Sequence, residues 1–527
     1  MFAHVVVVIA LIGFLLYGVR RGIGIPLAEY VANRDRTSGR AVFFSIVGTC
    51  LGGWMFFGVT AIGYEAGVVG YAIGFAYAVG LVMMGLLAPV AKGIAKEGSC
   101  DIVDDVVAFR YGEKARYLIS SVNLVVLLAF IASQVIALQS LLSVVGGRLA
   151  PWTVVFGVAV VVFYTGLAGY AGVVGTDIVQ FLFFVLGSVV LFVFIAAKLG
   201  VSTLADVPAE YFTGYGPVAL GYGKMFVIGA FAFFAPSLLV RTDLWQRIAS
   251  AKDASKARWA LIGAAPVMLL GYVVFTTIGI YARAVFGTEL LDKRQTAKAG
   301  MLLFEHVLKR ESSGTLLTEV VFSAVVLGVF GAVMSTADSF LNLLAETVSK
   351  ARSRGLWDAY NSGKEPPERI QLSPLCQWLQ RVGLVRRGTL ERTASERRLL
   401  KELRVLTVAG ALASVILALS VASIVDLIVG SASALMIFTP AVVAGILTRH
   451  PNRRAGLLSM GSGITVYATL IVVGLVTRGV YDKAAFVPGV LVAILGYVIG
   501  LGIFKKEPDQ VSGTSSDTPE ESQLKEP

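Results

Sequence analysis

Ser335-Thr336-Ala337-Asp338-Ser339 packs four oxygen-bearing side chains into five positions, in an otherwise oily stretch from Val320 to Leu344. A carboxylate at membrane depth is costly, and buried hydroxyls need partners. On a helix, Ala332, Ser335 and Thr336 stand at i, i+3 and i+4 and share one face. A free backbone carbonyl and two hydroxyls there form an uncharged, all-oxygen ligand set. Such a set suits a weakly held monovalent cation better than zinc or a transition metal. Hydroxyls in membrane helices also simply join neighbouring helices, and the string alone leaves both uses open. Asp338 lies off the shared face.

Two other apolar stretches carry helix breakers at mid-depth. Gly48-Thr49-Cys50-Leu51-Gly52-Gly53-Trp54 interrupts one, and Gly229 with Phe233-Phe234-Ala235-Pro236-Ser237 interrupts the other. Proline frees a carbonyl one turn back, and clustered glycine lets a helix unwind. Loosened backbone is tolerated in a bilayer only where it faces protein or a wet cavity. The two breaks fall five spans apart, at matching places if the chain holds two inverted repeats of five helices. That pattern points to a transporter's midplane site.

The elements that must carry these residues are membrane helices. The chain is 56% hydrophobic and 15% charged, with a mean hydropathy of +0.78, which excludes an ordinary soluble globule. Thirteen spans are expected, at approximately 2–18, 41–63, 67–91, 117–145, 152–170, 176–198, 225–247, 259–282, 318–348, 405–425, 428–448, 455–477 and 485–504. The first lacks a basic leader and ends in Arg20-Arg21, so it reads as a helix rather than a signal peptide. With the N-terminus outside, about three quarters of the Lys and Arg residues fall on the inner side, which puts the C-terminus in the cytoplasm. The same asymmetry accounts for the net charge of +11 without invoking nucleic acid. Cys50, Cys100 and Cys376 predict no disulfide. His4, His306 and His450 sit near span ends or in loops, so a histidine relay or zinc site is not expected.

Outer residues 199–224 and 283–316 form longer loops, and Thr296 to Arg310 has a helical apolar pattern that reads as an interfacial helix rather than a cap. In the inner loop 349–404, Leu375, Trp378, Leu379, Val382 and Leu384 with Arg381, Arg386 and Arg387 predict a short helix on the anionic leaflet.

Several ordered motifs then carry a resemblance. They are Ile25-Pro26-Leu27-Ala28-Glu29-Tyr30 with Asn33-Arg34, and Asp104 to Gly112 ending Phe109-Arg110-Tyr111-Gly112. Further on come Tyr164 to Gly169 followed by Thr176-Asp177-Ile178-Val179-Gln180, then Gln246-Arg247 through Arg258, and Met334 to Ser339. Together they resemble the sodium:solute symporter family, which includes sodium–proline and sodium–sugar cotransporters. The resemblance implies an all-α polytopic LeuT-type fold in the cytoplasmic membrane. An extra helix (1–20) and an inner entry segment (21–40) precede the first inverted repeat (41–199). An outer loop (200–224) leads to the second repeat (225–449), which carries the insert 349–404. Two terminal helices (450–505) and a disordered tail (506–527) follow.

The resemblance also implies symport of a small polar organic solute with Na+ by alternating access, with no bond chemistry and a monomer sufficient for transport. Its Na+ site lies where spans 2 and 9 cross. Ala332 and, on span 2, Gly48 and Leu51 would offer carbonyls, Ser335 and Thr336 hydroxyls, and Asp177 an inner relay or electrostatic partner. Cys50 stands where some members carry an acidic or amide residue, so a proline or sugar specificity is not copied. Cys50, Trp54, Phe57, Tyr64, Phe233, Phe234 and Ser237 are the expected substrate walls. A proton-coupled carrier using Asp177 or Asp338, and a transporter-like sensor signalling through 349–404, are the alternatives.

Overall fold

Residues 2–145, 150–217, 222–292, 295–309, 316–370, 380, 390–421, 424–478 and 484–504 are described in the computed structural model. The helices are α1 (Phe2–Gly22), α2 (Leu27–Val31), α3 (Gly39–Trp54), α4 (Thr60–Ala66), α5 (Val69–Glu97), α6 (Val103–Tyr111), α7 (Glu113–Val145) and α8 (Ala150–Leu199). They continue as α9 (Lys224–Gly229), α10 (Ala235–Ser237), α11 (Thr242–Ser250), α12 (Ala254–Phe286), α13 (Glu289–Asp292), α14 (Ala299–Lys309), α15 (Leu316–Arg352) and α16 (Arg354–Ser362). After a hairpin of β1 (Glu368–Ile370) and β2 (Leu390–Arg392) come α17 (Ala394–Ser420), α18 (Ile424–Met436), α19 (Thr439–Leu447), α20 (Arg453–Arg478) and α21 (Phe486–Ile503).

Among the described residues, nine helices are long and apolar enough to cross a membrane, or eleven if two bent pairs each count as one span. The bent pairs are Lys224–Val240 with Thr242–Ser250, at 48°, and Leu427–Met436 with Thr439–Leu447, at 43°. α8 has 50 residues, roughly 75 Å of helix and far more than one crossing needs. It bends at Gly169, whose φ of 52° is left-handed. A Cβ there would lie 2.4 Å from the Tyr30 carbonyl oxygen, so glycine supplies both the conformation and the clearance. The loop expected between 170 and 176 is therefore absent, and the chain turns within the helix.

α15 is the hub. It packs against α8, α7, α3 and α17, while α12 packs against α5, α4 and α3. Both are long helices rich in small and branched apolar residues, with Ser, Thr and Gly at the close contacts. α14 buries Ala299, Met301, Leu303, Phe304 and Val307 against the bundle. This corrects the interfacial reading: the apolar stripe faces protein, and the segment packs as a cap. The residues of the expected leaflet helix, Leu375 to Arg387, and those of the tail lie outside the described set apart from isolated positions.

Candidate functional site

α3 starts at Ser38, whose hydroxyl accepts from the Ala41 amide at 3.3 Å, and it runs into the core until Gly52. There the backbone leaves helical geometry (φ −5°, ψ −170°), and a π-helical turn, Met55–Val59, links it to α4. Gly52 lies against α15. A Cβ on it would stand 1.8 Å from Thr336 Oγ1, so hydrogen alone permits the approach. One turn earlier, a Cβ on Gly48 would be 3.0 Å from Ser335 Oγ and 3.5 Å from Asp177 Cβ.

Three elements thus meet. Thr336 Oγ1 donates to the Thr49 carbonyl at 3.1 Å, and Ser335 Oγ donates to Asp177 Oδ1 at 2.5 Å. Ser45 Oγ donates to the other Asp177 oxygen at 2.7 Å. Ala332 is buried one turn before Thr336. The polar atoms on this surface are hydroxyl, carbonyl and carboxylate oxygens, which fit a hard monovalent cation. The span 2 carbonyl engaged by α15 is that of Thr49. Gly48 contributes clearance over Ser335, and the Leu51 side chain faces Gly271 on α12.

Asp338 points elsewhere. It is fully buried, and its Oδ2 accepts from the Tyr164 hydroxyl on the first half of α8. Beside the crossing lies a residue whose role the sequence did not disclose. Arg247 on α11 is fully buried and donates from Nη2 to Thr49 Oγ1 at 2.7 Å and Ser339 Oγ at 2.9 Å. Its guanidinium lies 5.6 Å from the centre of the Tyr170 ring. α11 is held inward by Lys92, which donates to the carbonyls of Ile248, Ala249 and Ala251 at 2.9, 2.7 and 2.6 Å. An ammonium there also opposes the helix dipole.

Next to the crossing is a cavity of about 120 Å³. Of the residues the sequence suggested as substrate walls, Cys50, Trp54, Phe234 and Ser237 line it. Phe57, Tyr64 and Phe233 are placed elsewhere. Phe57 is fully buried in the core, Tyr64 donates its hydroxyl to the Gly287 carbonyl at 2.6 Å, and Phe233 meets Phe486 edge-on. Tyr77, Gln134, Arg241 and Tyr272 join the wall from α5, α7, the α10–α11 bend and α12.

At the far end of α15, Lys350 Nζ contacts Asp101 at 3.0 Å, Asp105 at 2.7 Å and Glu346 at 2.7 Å. Arg34 pairs with Asp101, and Arg116 with Asp105. Burial works against an ionised Asp105, but Lys350 and Arg116 outweigh it and hold the carboxyl well below the usual range. Burial raises neighbouring Asp104, although Ser120 and Asn123 donate to it.

The profile of the sodium:solute symporter family matches residues 30–352. The High-affinity choline transporter 1 of Caenorhabditis elegans is 32% identical over 153 residues, which are 29% of this chain. The match spans about a quarter of that relative, 26% of its length. A substrate-bound, outward-open structure of a Na+-coupled sialic acid symporter superposes with a TM-score of 0.71 at 16% identity, covering 96% of this chain and 98% of that one. A nucleobase-cation-symport-1 family transporter, closed with bromovinylhydantoin bound, gives 0.53 at 15% identity over 90% and 94%. At these identities the likenesses show a shared fold.

Proposed function

The chain belongs to the sodium:solute symporter family, and on that premise we propose that it imports a small organic solute by alternating access. The family and the Na+-coupled structural neighbour support a sodium-coupled symporter rather than an enzyme, with Na+ as its coupling ion. The observation that carries the finer reading is the meeting of Thr49, Ser335, Thr336 and Asp177 at the Gly52 break. Na+ enters between the Thr49 carbonyl, the two hydroxyls and the Ala332 carbonyl, with Asp177 as the counter-charge on its inner side. The ion pins α15 against α3 and shapes the adjoining cavity, so ion and solute each tighten the other's binding. Rocking of one helical group against the other then exposes both ligands to the cytoplasm. A membrane potential adds about 2.3 kcal/mol per charge per 100 mV.

The architecture that goes with this reading has thirteen spans, counting α1, the two halves of α8 and each bent pair. The N-terminus lies outside, and inverted repeats cover 41–199 and 225–449. The Gly52 break in span 2 and the bent span 7 then occupy equivalent places. The test is uptake into proteoliposomes under a Na+ gradient. Ser335→Ala and Thr336→Ala should each raise the Na+ concentration for half-maximal uptake about tenfold, a loss of about 1.4 kcal/mol. Unchanged sodium activation in both would remove the site assignment.

A further inference from the structure

We propose that the cargo is a small monocarboxylate with an apolar body, and that Arg241 selects for its carboxylate. This rests on the symport reading above and adds the class of solute. The cavity wall is chiefly aromatic and aliphatic, with Trp54, Tyr77, Phe130, Phe234 and Tyr272 among its residues. Arg241 is the one charged side chain among the described lining residues.

The polar side chains of the wall are otherwise largely committed to the protein. Trp54 Nε1 donates to Tyr272 Oη at 3.2 Å. Gln134 accepts from the Gly53 amide at 3.1 Å and donates to Ser133 Oγ at 3.0 Å. Ser237 donates to the Phe234 carbonyl at 2.6 Å, and Thr49 Oγ1 is taken by Arg247. Among the described residues the Ser433 hydroxyl has no hydrogen-bond partner and can serve one further polar atom. A polyhydroxylated solute would leave most of its hydroxyls unpaired against this wall.

Arg241 is different. It sits at the bend between the 3-10 turn Leu238–Val240 and α11, with extended backbone at φ −71° and ψ 114°. Nε and Nη2 donate to the two oxygens of Asp243 at 2.8 and 2.7 Å, and Nη1 donates to the Tyr77 hydroxyl. A guanidinium carries five N–H donors, so these bonds leave two. Asp243 lies behind, in the first turn of α11, and is not part of the wall. The pair lets an arginine persist in the membrane core without a ligand, and two of the guanidinium's N–H donors remain for one. A cation there would face a guanidinium with no carboxylate to hold it. A carboxylate matches the remaining donors in charge and geometry. Thr49, Gly52 and Thr336 belong both to this wall and to the sodium surface, so Na+ and the carboxylate would be neighbours of opposite charge.

The test measures thermal stabilisation of the purified full chain by isovalerate, isovaleramide and choline, three probes of similar size, in NaCl and in KCl. Isovalerate should stabilise the protein in NaCl, and the amide and choline at the same concentration should not. In Arg241→Lys the isovalerate concentration needed should rise at least tenfold. Removing Arg241 alone strands Asp243, so the double variant R241Q/D243N is the second arm. It should lose the isovalerate response and keep the shift given by NaCl alone, which shows that it is folded. Stabilisation by isovaleramide or choline equal to that by isovalerate overturns the proposal. So does an isovalerate response surviving in the double variant, or no isovalerate response in a wild-type protein that still responds to NaCl. An isovalerate response of equal size in KCl instead refutes sodium coupling at this site and leaves the solute class standing.

Discussion

Two of the three cysteines give residue-level probes of the site. Both thiols are buried, but Cys50 lies on the cavity wall, open to a small reagent entering the cavity, whereas Cys100 sits beside α6, away from it, where burial pushes its thiol up to about 12. Only the thiolate reacts readily, so Cys100 should stay inert at pH 7.5. In a Cys376→Ser background, a small methanethiosulfonate reagent should modify Cys50 alone, and Na+ with solute should slow it several-fold. Labelling read by intact mass decides the matter, and modification at Cys100 would contradict the placement. The proposed sodium face was suggested at this scale, because Ala332, Ser335 and Thr336 repeat at helical spacing in an oily background. Arg241 and Arg247 were not. In the sequence they stand at the end of an expected span, where basic residues ordinarily mark a membrane surface. The 48° bend after Val240 instead turns α11 into the protein, which no local pattern announces.

Among the helices, the break in α3 is the element on which the site depends. Glycine clusters in the sequence located it to within a few residues. They could not say which carbonyl would face α15, because the backbone leaves helical geometry at Gly52 itself; a π-helical turn then shifts the register of the residues after it. That shift also explains why Phe57 and Tyr64 point into the core and toward Gly287 rather than into the cavity. Gly52→Ala tests the break directly. Its Cβ would overlap Thr336 Oγ1, and overpacking of this kind costs about 1–3 kcal/mol. The variant should show a lowered melting temperature and no stabilisation by NaCl. Gly13, whose Cβ would meet nothing within 4 Å, is the control: Gly13→Ala favours the helix, so it should not lower the melting temperature and should keep the NaCl response. A Gly52→Ala protein with a normal sodium response would mean that α3 and α15 need not approach so closely.

For the whole molecule, the membrane-helical class was readable because apolar runs of bilayer length recur along the chain, and the family profile and the fold comparisons agree with that class. What pattern alone did not show is how the ends are tied. The carboxylates of Asp101, Asp105 and Glu346 come from α15 and the segment leading into and through α6, and their oxygens lie within 4.8 Å of one another. That is a chelating arrangement, and the Lys350 ammonium stands in it. Because the ammonium is tethered and makes three carboxylate contacts there, it holds the place against ions from solution. The native transporter should therefore be indifferent to millimolar Mg2+ or Ca2+. Lys350→Ala would vacate the ammonium's place and expose the acidic trio to solution ions, so its uptake should acquire a divalent-ion dependence that the wild type lacks. Uptake titrated with CaCl2 at constant ionic strength measures this, and identical curves for the two proteins would refute it. By this reasoning the lysine serves as a built-in counter-ion that insulates one end of the carrier from the ionic composition around it.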